Sequence, residues 1–291
     1  MNEDGAIVGS GEFAFTNEDF DRVRKLIYDH AGISLADSKR QLVYSRVGRR
    51  LRARELSSFA EYLGLLEAND ADEWEAFTNA LTTNLTSFFR EEHHFPILAE
   101  HLKRPGGQRP LMLWCSAAST GEEPYSMAIT AAEAFNTLKP PVRILASDVD
   151  TNVLAKAERG VYAMERLERM SPERLRRYFQ KGRGANSGHA RVRAELRELI
   201  TFRQVNLLHS NWPLRGPLDG IFCRNVMIYF DKPTQYRILK KMAPLLGAEG
   251  LFFAGHSENF IHAADLFRLR GKTVYELSPK FRASHAASPG H

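Results

Sequence analysis

The pattern of this chain changes at Asn84. From Thr16 up to that point, apolar residues recur at the spacing of helices that bury one face. Beyond it, short apolar runs alternate with helical stretches, as in an open, mostly parallel α/β sheet. A chain of 291 residues is long enough for about two domains. The break therefore predicts a small all-helical domain over 15–84 and an α/β domain over 85–280. The ends, 1–14 and 281–291, are rich in Gly, Ser, Ala and His and are expected to be disordered.

Composition narrows the class. Hydrophobic residues make up 43% of the chain, which excludes wholesale disorder. Cys115 and Cys223 are far apart and fit neither a disulfide framework nor a zinc spacing. The acidic start, Met1-Asn-Glu-Asp, lacks the apolar region of a secretory signal. No run approaches the ~18 apolar residues of a membrane span. A soluble, cytoplasmic protein is expected, not one embedded in a membrane.

In the helical part, Thr16-Asn-Glu-Asp opens a helix with a capping residue and early acids, and Ala31-Gly32-Ile33 ends it. Further helices are expected at 57–66 and 72–81. Between them, residues 38–54 carry Lys39, Arg40, Arg46, Arg49, Arg50, Arg52 and Arg54 and no acid. On a helix Val43, Tyr44, Val47 and Leu51 share one face, and Lys39, Arg46 and Arg49 point away from it. The basic helix reads either as a solvated face or as a docking surface for an acidic partner. Arg46, Arg49 and Arg50 are its candidate contacts.

In the α/β part, strands are expected at 111–115, 142–146, 218–223, 251–254 and 273–277, and helices at 122–135 and 152–158. Between 159 and 203 the alternation breaks off. Gly182-x-Gly184-x-x-x-Gly188 precedes Val192, Ala194 and Leu196, which alternate with charged residues as in a half-exposed strand. An inserted antiparallel subdomain is expected, with 191–196 as an edge open to an extended peptide. Twelve Arg and Lys here face five Glu, without the interleaved aromatics of a nucleic-acid platform, so no nucleic-acid partner is expected.

Ligands of open α/β sheets lie outside the carboxyl ends of the strands. The first such end, Cys115-Ser-Ala-Ala-Ser-Thr-Gly121-Glu122-Glu123, is neither a phosphate-binding P-loop nor a dinucleotide fingerprint. Its two acids suit a cationic ligand or simply complement a helix dipole. Asp148, 27 residues beyond Gly121, is placed to accept ribose hydroxyls. The third end is Cys223-Arg-Asn-Val-Met-Ile-Tyr229-Phe. Adenosine plus a positive group without phosphates describes S-adenosylmethionine better than NAD or ATP. Glu91-Glu-His93-His94 is not a H-E-x-x-H site, and no metal is expected. His256 reads as structural or as part of the site rim.

Several longer stretches then match a known family in order. They are Thr83-Asn-Leu-Thr86-Ser-Phe-Phe-Arg90, Ala118-Ser-Thr-Gly121-Glu-Glu123-Pro-Tyr-Ser, Ala146-Ser-Asp148, Val205-Asn206-Leu207-Leu, Cys223-Arg-Asn225-Val-Met-Ile-Tyr229-Phe-Asp and Gly255-His-Ser-Glu-Asn259. Out to about residue 278 the chain resembles CheR-type chemoreceptor methyltransferases. The resemblance implies a Rossmann-like sheet and methyl transfer from S-adenosylmethionine to glutamates on the cytoplasmic helices of chemoreceptors. It implies cofactor contacts at Asn84, Thr86, Arg90, Glu123, Asp148, Asn206, Leu207, Cys223, Arg224 and Asn225. Asp148 would take the ribose and Asn206-Leu207 would border the adenine. Arg90 and Tyr229 would face the reacting centre as the catalytic pair. The loop with Gly182, Gly184 and Gly188 resembles the glycine loop of members that bind a pentapeptide at a receptor's C-terminus. Two other readings are an RNA methyltransferase and a receptor-associated module that keeps the cofactor fold without activity.

Overall fold

The computed structural model describes residues 12–68, 70–104 and 109–286. The chain separates into two compact units, one of the residues before Asn84 with 229–231, the other of the remainder.

The first unit is helical. Helix α1 (Asn17–Ala31) starts where Thr16 and Asp19 cap each other's main-chain N–H groups at 3.1 and 2.9 Å. It buries Phe20, Val23, Ile27 and Ala31 and stops at Gly32, whose φ of 68° is left-handed. Helix α2 (Arg40–Ala53) buries Val43, Val47 and Leu51. Helices α3 (Phe59–Glu67) and α4 (Ala71–Leu81) are capped by Ser58 and Asp70. Tyr28 donates to Asp231 at 2.6 Å, and Ser34 N–H donates to the Tyr229 carbonyl at 3.0 Å.

The basic face of α2 is largely neutralised from within this unit. Arg50 forms a two-point pair with buried Glu73 at 2.9 and 3.0 Å, and Tyr62 donates to the same carboxylate at 2.7 Å. Arg46 donates to the carbonyls of Ala80 and Thr82 at the end of α4. Arg52 pairs with Glu12, and Arg54 with Asp70. Arg46 and Arg50 are thus held by acceptors of α4 that a linear pattern cannot show, and each keeps part of its surface exposed. Arg49 remains exposed.

The second unit begins with α5 (His94–Leu102), β1 (Leu111–Cys115), α6 (Glu122–Ala134), β2 (Val142–Asp148) and α7 (Thr151–Arg159). Next come β3 (Val161–Ala163), α8 (Pro172–Tyr178), β4 (Phe179–Lys181), β5 (His189–Val192) and α9 (Ala194–Arg197). It continues through β6 (Ile200–Gln204), β7 (Leu218–Cys223), α10 (Lys232–Met242), β8 (Leu246–Ala254), β9 (Phe267–Gly271), β10 (Val274–Leu277) and α11 (Pro279–Ala286). The main sheet has seven strands in the order β6-β2-β1-β7-β8-β10-β9. Only β10 runs antiparallel to its neighbours among them. Leu113, Ile144, Ile221, Phe222, Phe252 and Phe253 are buried, as expected for strands covered on both faces. The chain runs from β1 to β2 on one side and returns as β7 on the other. The crevice at the carboxyl ends of β1, β2 and β7 is thus a topological switch point.

The inserted antiparallel sheet exists, in the order β3-β5-β4, but its inner details differ from expectation. Residues 191–196 are not an edge. β5 is the central strand, paired on both sides, and 194–197 form α9. β4 is an outer strand instead. Residues 200–204 belong to the main sheet as β6, because Ile200 and Phe202 pair alongside Ile144 and Ala146 of β2. The expected disorder at 12–14 and 281–286 is also corrected. Phe13 N–H donates to Tyr44 at 3.3 Å, and the Ser278 hydroxyl caps α11 through Phe281 N–H at 3.1 Å. Residues 1–11 and 287–291 lie outside the described residues.

Glu73 gives the first test. Burial alone would raise its carboxyl, but Arg50, Tyr62 and Arg54 together hold it below the usual range. Its contribution to stability is therefore full at neutral pH and is lost as acid titrates the group. Glu73→Ala, which strands Arg50 and the Tyr62 hydroxyl, should destabilise by about 2–4 kcal/mol at pH ~7 in urea unfolding. The deficit relative to wild type should shrink on acidification.

Candidate functional site

Four main-chain hydrogen bonds shape the crevice, three of them from the loop between β1 and α6. Ser116 N–H donates to the Phe222 carbonyl at 2.9 Å, Ala118 N–H to Ser147 at 2.8 Å, Val205 N–H to Asp148 at 3.0 Å and Gly121 N–H to Ala118 at 2.9 Å. Together they draw the ends of β1, β2 and β7 and the 205–207 segment to one place. Gly121 has φ 98°, and a Cβ there would lie 2.7 Å from the Tyr162 hydroxyl, so only glycine fits.

Asp148 is buried at the end of β2. Its Oδ2 accepts the Ser119 N–H at 2.8 Å and its Oδ1 the Asp150 N–H at 3.1 Å. Burial nevertheless pushes the carboxyl up to about 6, against those two bonds. Asn84 is tied into the same corner: its Nδ2 donates to Asp150 at 2.8 Å, and its carbonyl accepts the Ser119 hydroxyl at 3.0 Å. The Thr86 carbonyl accepts Arg166 at 3.0 Å.

A chain of charges crosses the floor beside it. The Arg224 side chain is wholly buried. It donates to Glu123 at 2.9 Å and to the Arg90 carbonyl, and its Nη2 lies 3.4 Å from Glu91. The Cys115 thiol donates to the other Glu123 oxygen at 3.2 Å. Burial raises the Glu123 carboxyl, with Arg224 opposing. Burial would raise Glu91 too, but its bond from His256 and the Arg224 charge outweigh that and hold it at about 2. Glu258 accepts the N–H groups of Asn225, Val226, Met227 and Gly255 at 2.6–3.0 Å, pinning the turn after β7. That turn needs the anchor, since Asn225 has φ 57°. The Arg90 guanidinium donates to the Leu85 carbonyl at 2.9 Å.

At the third corner, Asn206 Oδ1 accepts Leu208 N–H at 2.9 Å, and its carbonyl accepts the Trp212 ring N–H at 3.2 Å. Trp212 meets Trp114 edge-on at 5.3 Å. Lys241 lies 3.7 Å from the Trp212 ring centre and donates to the Leu207 and His209 carbonyls. Leu207 and Cys223 are buried.

The structure thus gathers the expected residues into three linked corners: Asn84 with Asp148; Arg90, Glu123, Arg224 and Asn225; and Asn206 with Leu207. Tyr229 groups with the helical unit. Glu91, Glu258 and Ser119 were not anticipated as part of this framework. Ser119 and Glu258 lie inside the matched motifs and Glu91 directly after one, which is their only sequence signal, because their partners lie up to 165 residues away. Glu91, His93 and His94 do bring ligand atoms within 4.8 Å of one another. The Nε2 atoms of both histidines face the Lys272 carbonyl, and Glu91 Oε1 is taken by His256 and Asn225, whereas Glu91 Oε2 and His94 Nδ1 are buried without a hydrogen-bond partner.

The family described as CheR methyltransferase, SAM binding domain, matches residues 84–276, and CheR methyltransferase, all-alpha domain, matches 18–82. This chain belongs to the CheR methyltransferase family. It is 58% identical over 270 residues to chemotaxis protein methyltransferase 2 of Pseudomonas aeruginosa, covering 92% of this chain and 96% of that one. It is 54% identical over 266 residues to the chemotaxis protein methyltransferase of Salmonella typhimurium, covering 91% and 92%. The Escherichia coli chemotaxis protein methyltransferase is 52% identical over the same length, with the same coverage. As a member of this family the chain is an S-adenosylmethionine-dependent methyltransferase. No helix among the described residues is long and apolar enough to cross a membrane.

The two cysteines of this CheR member belong to the framework and not to its chemistry. Burial drives both thiols well above their ordinary range, so neither is a nucleophile. Neither should react with Ellman's reagent in the native protein, and both should react in guanidinium. Rapid labelling of either one in the native state would contradict their burial.

Proposed function

We propose that this enzyme transfers the methyl group of S-adenosylmethionine to glutamate side chains on the cytoplasmic helices of chemoreceptors. The product would be a methyl ester that serves chemotactic adaptation, formed in the cytoplasm. The observation that carries the reading is full-length similarity to chemotaxis protein methyltransferases, at 58% identity over 92% of the chain. The local chemistry agrees with a carboxylate substrate. A glutamate of pKa ~4.3 is already ionised at pH 7 and needs no base. The crevice carboxylates are themselves committed: Asp148, Glu91, Glu123 and Glu258 each accept bonds from the protein.

The donor fits this crevice. Asp148 is a buried carboxylate with two N–H donors and room in its hydrogen-bonding capacity for hydroxyls. The small residues 116–121 would let the main chain come close to the donor, and Glu123, at the start of α6, would line it. When bound, the sulfonium supplies an electrophilic methyl group. What the protein provides is alignment and exclusion of water from the attacking oxygen. Asn84, Thr86, Cys223, Arg224 and Asn225 would line the donor, and Asn206 and Leu207 would flank the adenine. The Arg90 guanidinium would hold a carboxylate at the reacting centre, and Tyr229 would be the second catalytic residue. Arg49, exposed on α2, would meet the acidic receptor helices.

We further propose a tether. A receptor's C-terminal pentapeptide would add to β4, the outer strand of the inserted sheet, over a groove lined by Lys181, Gly182, Arg183 and Arg193. Gly184 and Gly188 have φ 56° and 83°, and a Cβ on Gly182 would lie 2.0 Å from the Asn186 carbonyl, so the loop requires glycine.

Asp148→Ala should weaken S-adenosylhomocysteine binding roughly tenfold to a hundredfold, the loss of about 1.5–3 kcal/mol of charge-assisted hydrogen bonding. In the wild type, ribose hydroxyls favour the ionised carboxyl. With Asp148 lifted to about 6, affinity should be full above that pH and decline below it, with proton release on binding. Calorimetry at about pH 5 and 7.5 checks both claims; unchanged affinity in the folded variant overturns the assignment. For the tether, the double change Gly184→Val, Gly188→Val should abolish binding of receptor pentapeptides from the same bacterium while sparing the cofactor. If no such pentapeptide binds the wild type, the tether is wrong.

A further inference from the structure

Glu91 and His256 take no part in the steps above, yet they are joined at two points. Glu91 Oε1 accepts His256 Nδ1–H at 2.9 Å and the His256 main-chain N–H at 3.2 Å. The same oxygen accepts Asn225 Nδ2 at 3.2 Å, which ties the loop after β8 to the turn after β7. A carboxylate gripping both the ring and the backbone of one residue fixes that residue's orientation. The two side chains differ sharply in exposure, at 10% for Glu91 and 66% for His256. With Nδ1 bound inward to the carboxylate that also holds Asn225, Nε2 is left without a partner among the described residues on an exposed side chain.

The charge balance of the floor also matters. Glu91 and Glu123 share the single guanidinium of Arg224, so Glu91 is a partner for a second cation. We propose that His256, held by Glu91, is a positioning residue for the substrate. Its protonated Nε2–H donates a hydrogen bond to the carboxylate of the incoming glutamate. This rests on the reading that the enzyme methylates receptor glutamates. It is not a base, because an ionised carboxylate has no proton to give up.

The consequence is a basic limb in substrate recognition. Once deprotonated, a ring whose remaining proton sits on Nδ1 presents an acceptor at Nε2 and repels the carboxylate. The groups facing the pair are Arg224 and Asn225 from the turn after β7, His93 and His94 at the start of α5, and Glu258 in its own loop. His94 is pushed down to about 4 by burial and stays neutral, so His93 is the necessary control.

Methylation of chemoreceptor-containing membranes, with radiolabelled donor at saturation, tests the idea on the full chain. In the wild type, KM for receptor should rise with pH. His256→Ala should raise KM about tenfold at pH ~6.5, the size of one charge-assisted bond, and flatten that dependence. Its affinity for S-adenosylhomocysteine should stay within about twofold of wild type. His256→Lys should recover much of the lost KM and keep it at high pH, and His93→Gln should retain the wild-type profile. An unchanged KM and profile in His256→Ala overturns the proposal. So does a joint loss of kcat, KM and cofactor affinity that lysine fails to rescue, which would mark a structural role. A wild type that binds S-adenosylhomocysteine but labels no receptor overturns instead the reading beneath it.

Discussion

A guanidinium taken wholly out of water must find acceptors, and the crevice is organised around the ones Arg224 finds. Glu123 reaches it from the first turn of α6, the Arg90 carbonyl and Glu91 from the segment before α5. Each of these carries a further partner: Cys115 at the end of β1 through Glu123, and Asn225 and His256 through Glu91. One buried cation thereby links the carboxyl ends of β1, β7 and β8 with the segment that holds Arg90. Low local dielectric makes such a network rigid when complete and costly when broken.

The ribose corner is built by different means. Asp148 is buried and only partly satisfied, which keeps its carboxyl near 6 in the absence of further donors. The surroundings that leave it so are steric: Gly121 lets α6 approach α7 and Tyr162, and Ser119 adopts a left-handed φ of 47° to point its N–H at Asp148. Charge compensation governs one side of the crevice and backbone shape the other. The two demands meet in the nine residues from Cys115 to Glu123.

The parts of the fold legible in the sequence are those with local causes. Thr16 and Gly32 mark the ends of α1 because capping and left-handed geometry act within a turn. The strand runs at 111–115 and 218–223 are apolar throughout because parallel strands are covered on both faces. Misreadings fall where partners are remote. Residues 191–196 alternate like an edge strand, yet β5 became central because β3 and β4, both earlier in the chain, pair with it on either side in the sheet. Phe267–Gly271, with two arginines in five residues, gave no strand signal and is held by pairing to β10.

The site divides in the same way. By itself, the sequence determined which residues bring chemistry to the strand ends: an acid after β2, small residues and acids after β1, and Arg224-Asn225 after β7. It did so because spacing along strand and helix is a local geometry. Only the tertiary structure decided what each charge is for. Arg46 and Arg50 became internal struts because α4 supplies carbonyls and Glu73. Glu91 and His256 became a pair because the loops after β8 and before α5 converge across 165 residues. A hydrogen bond depends on distance in space, and that distance exists only once the sheet has brought its strand ends together.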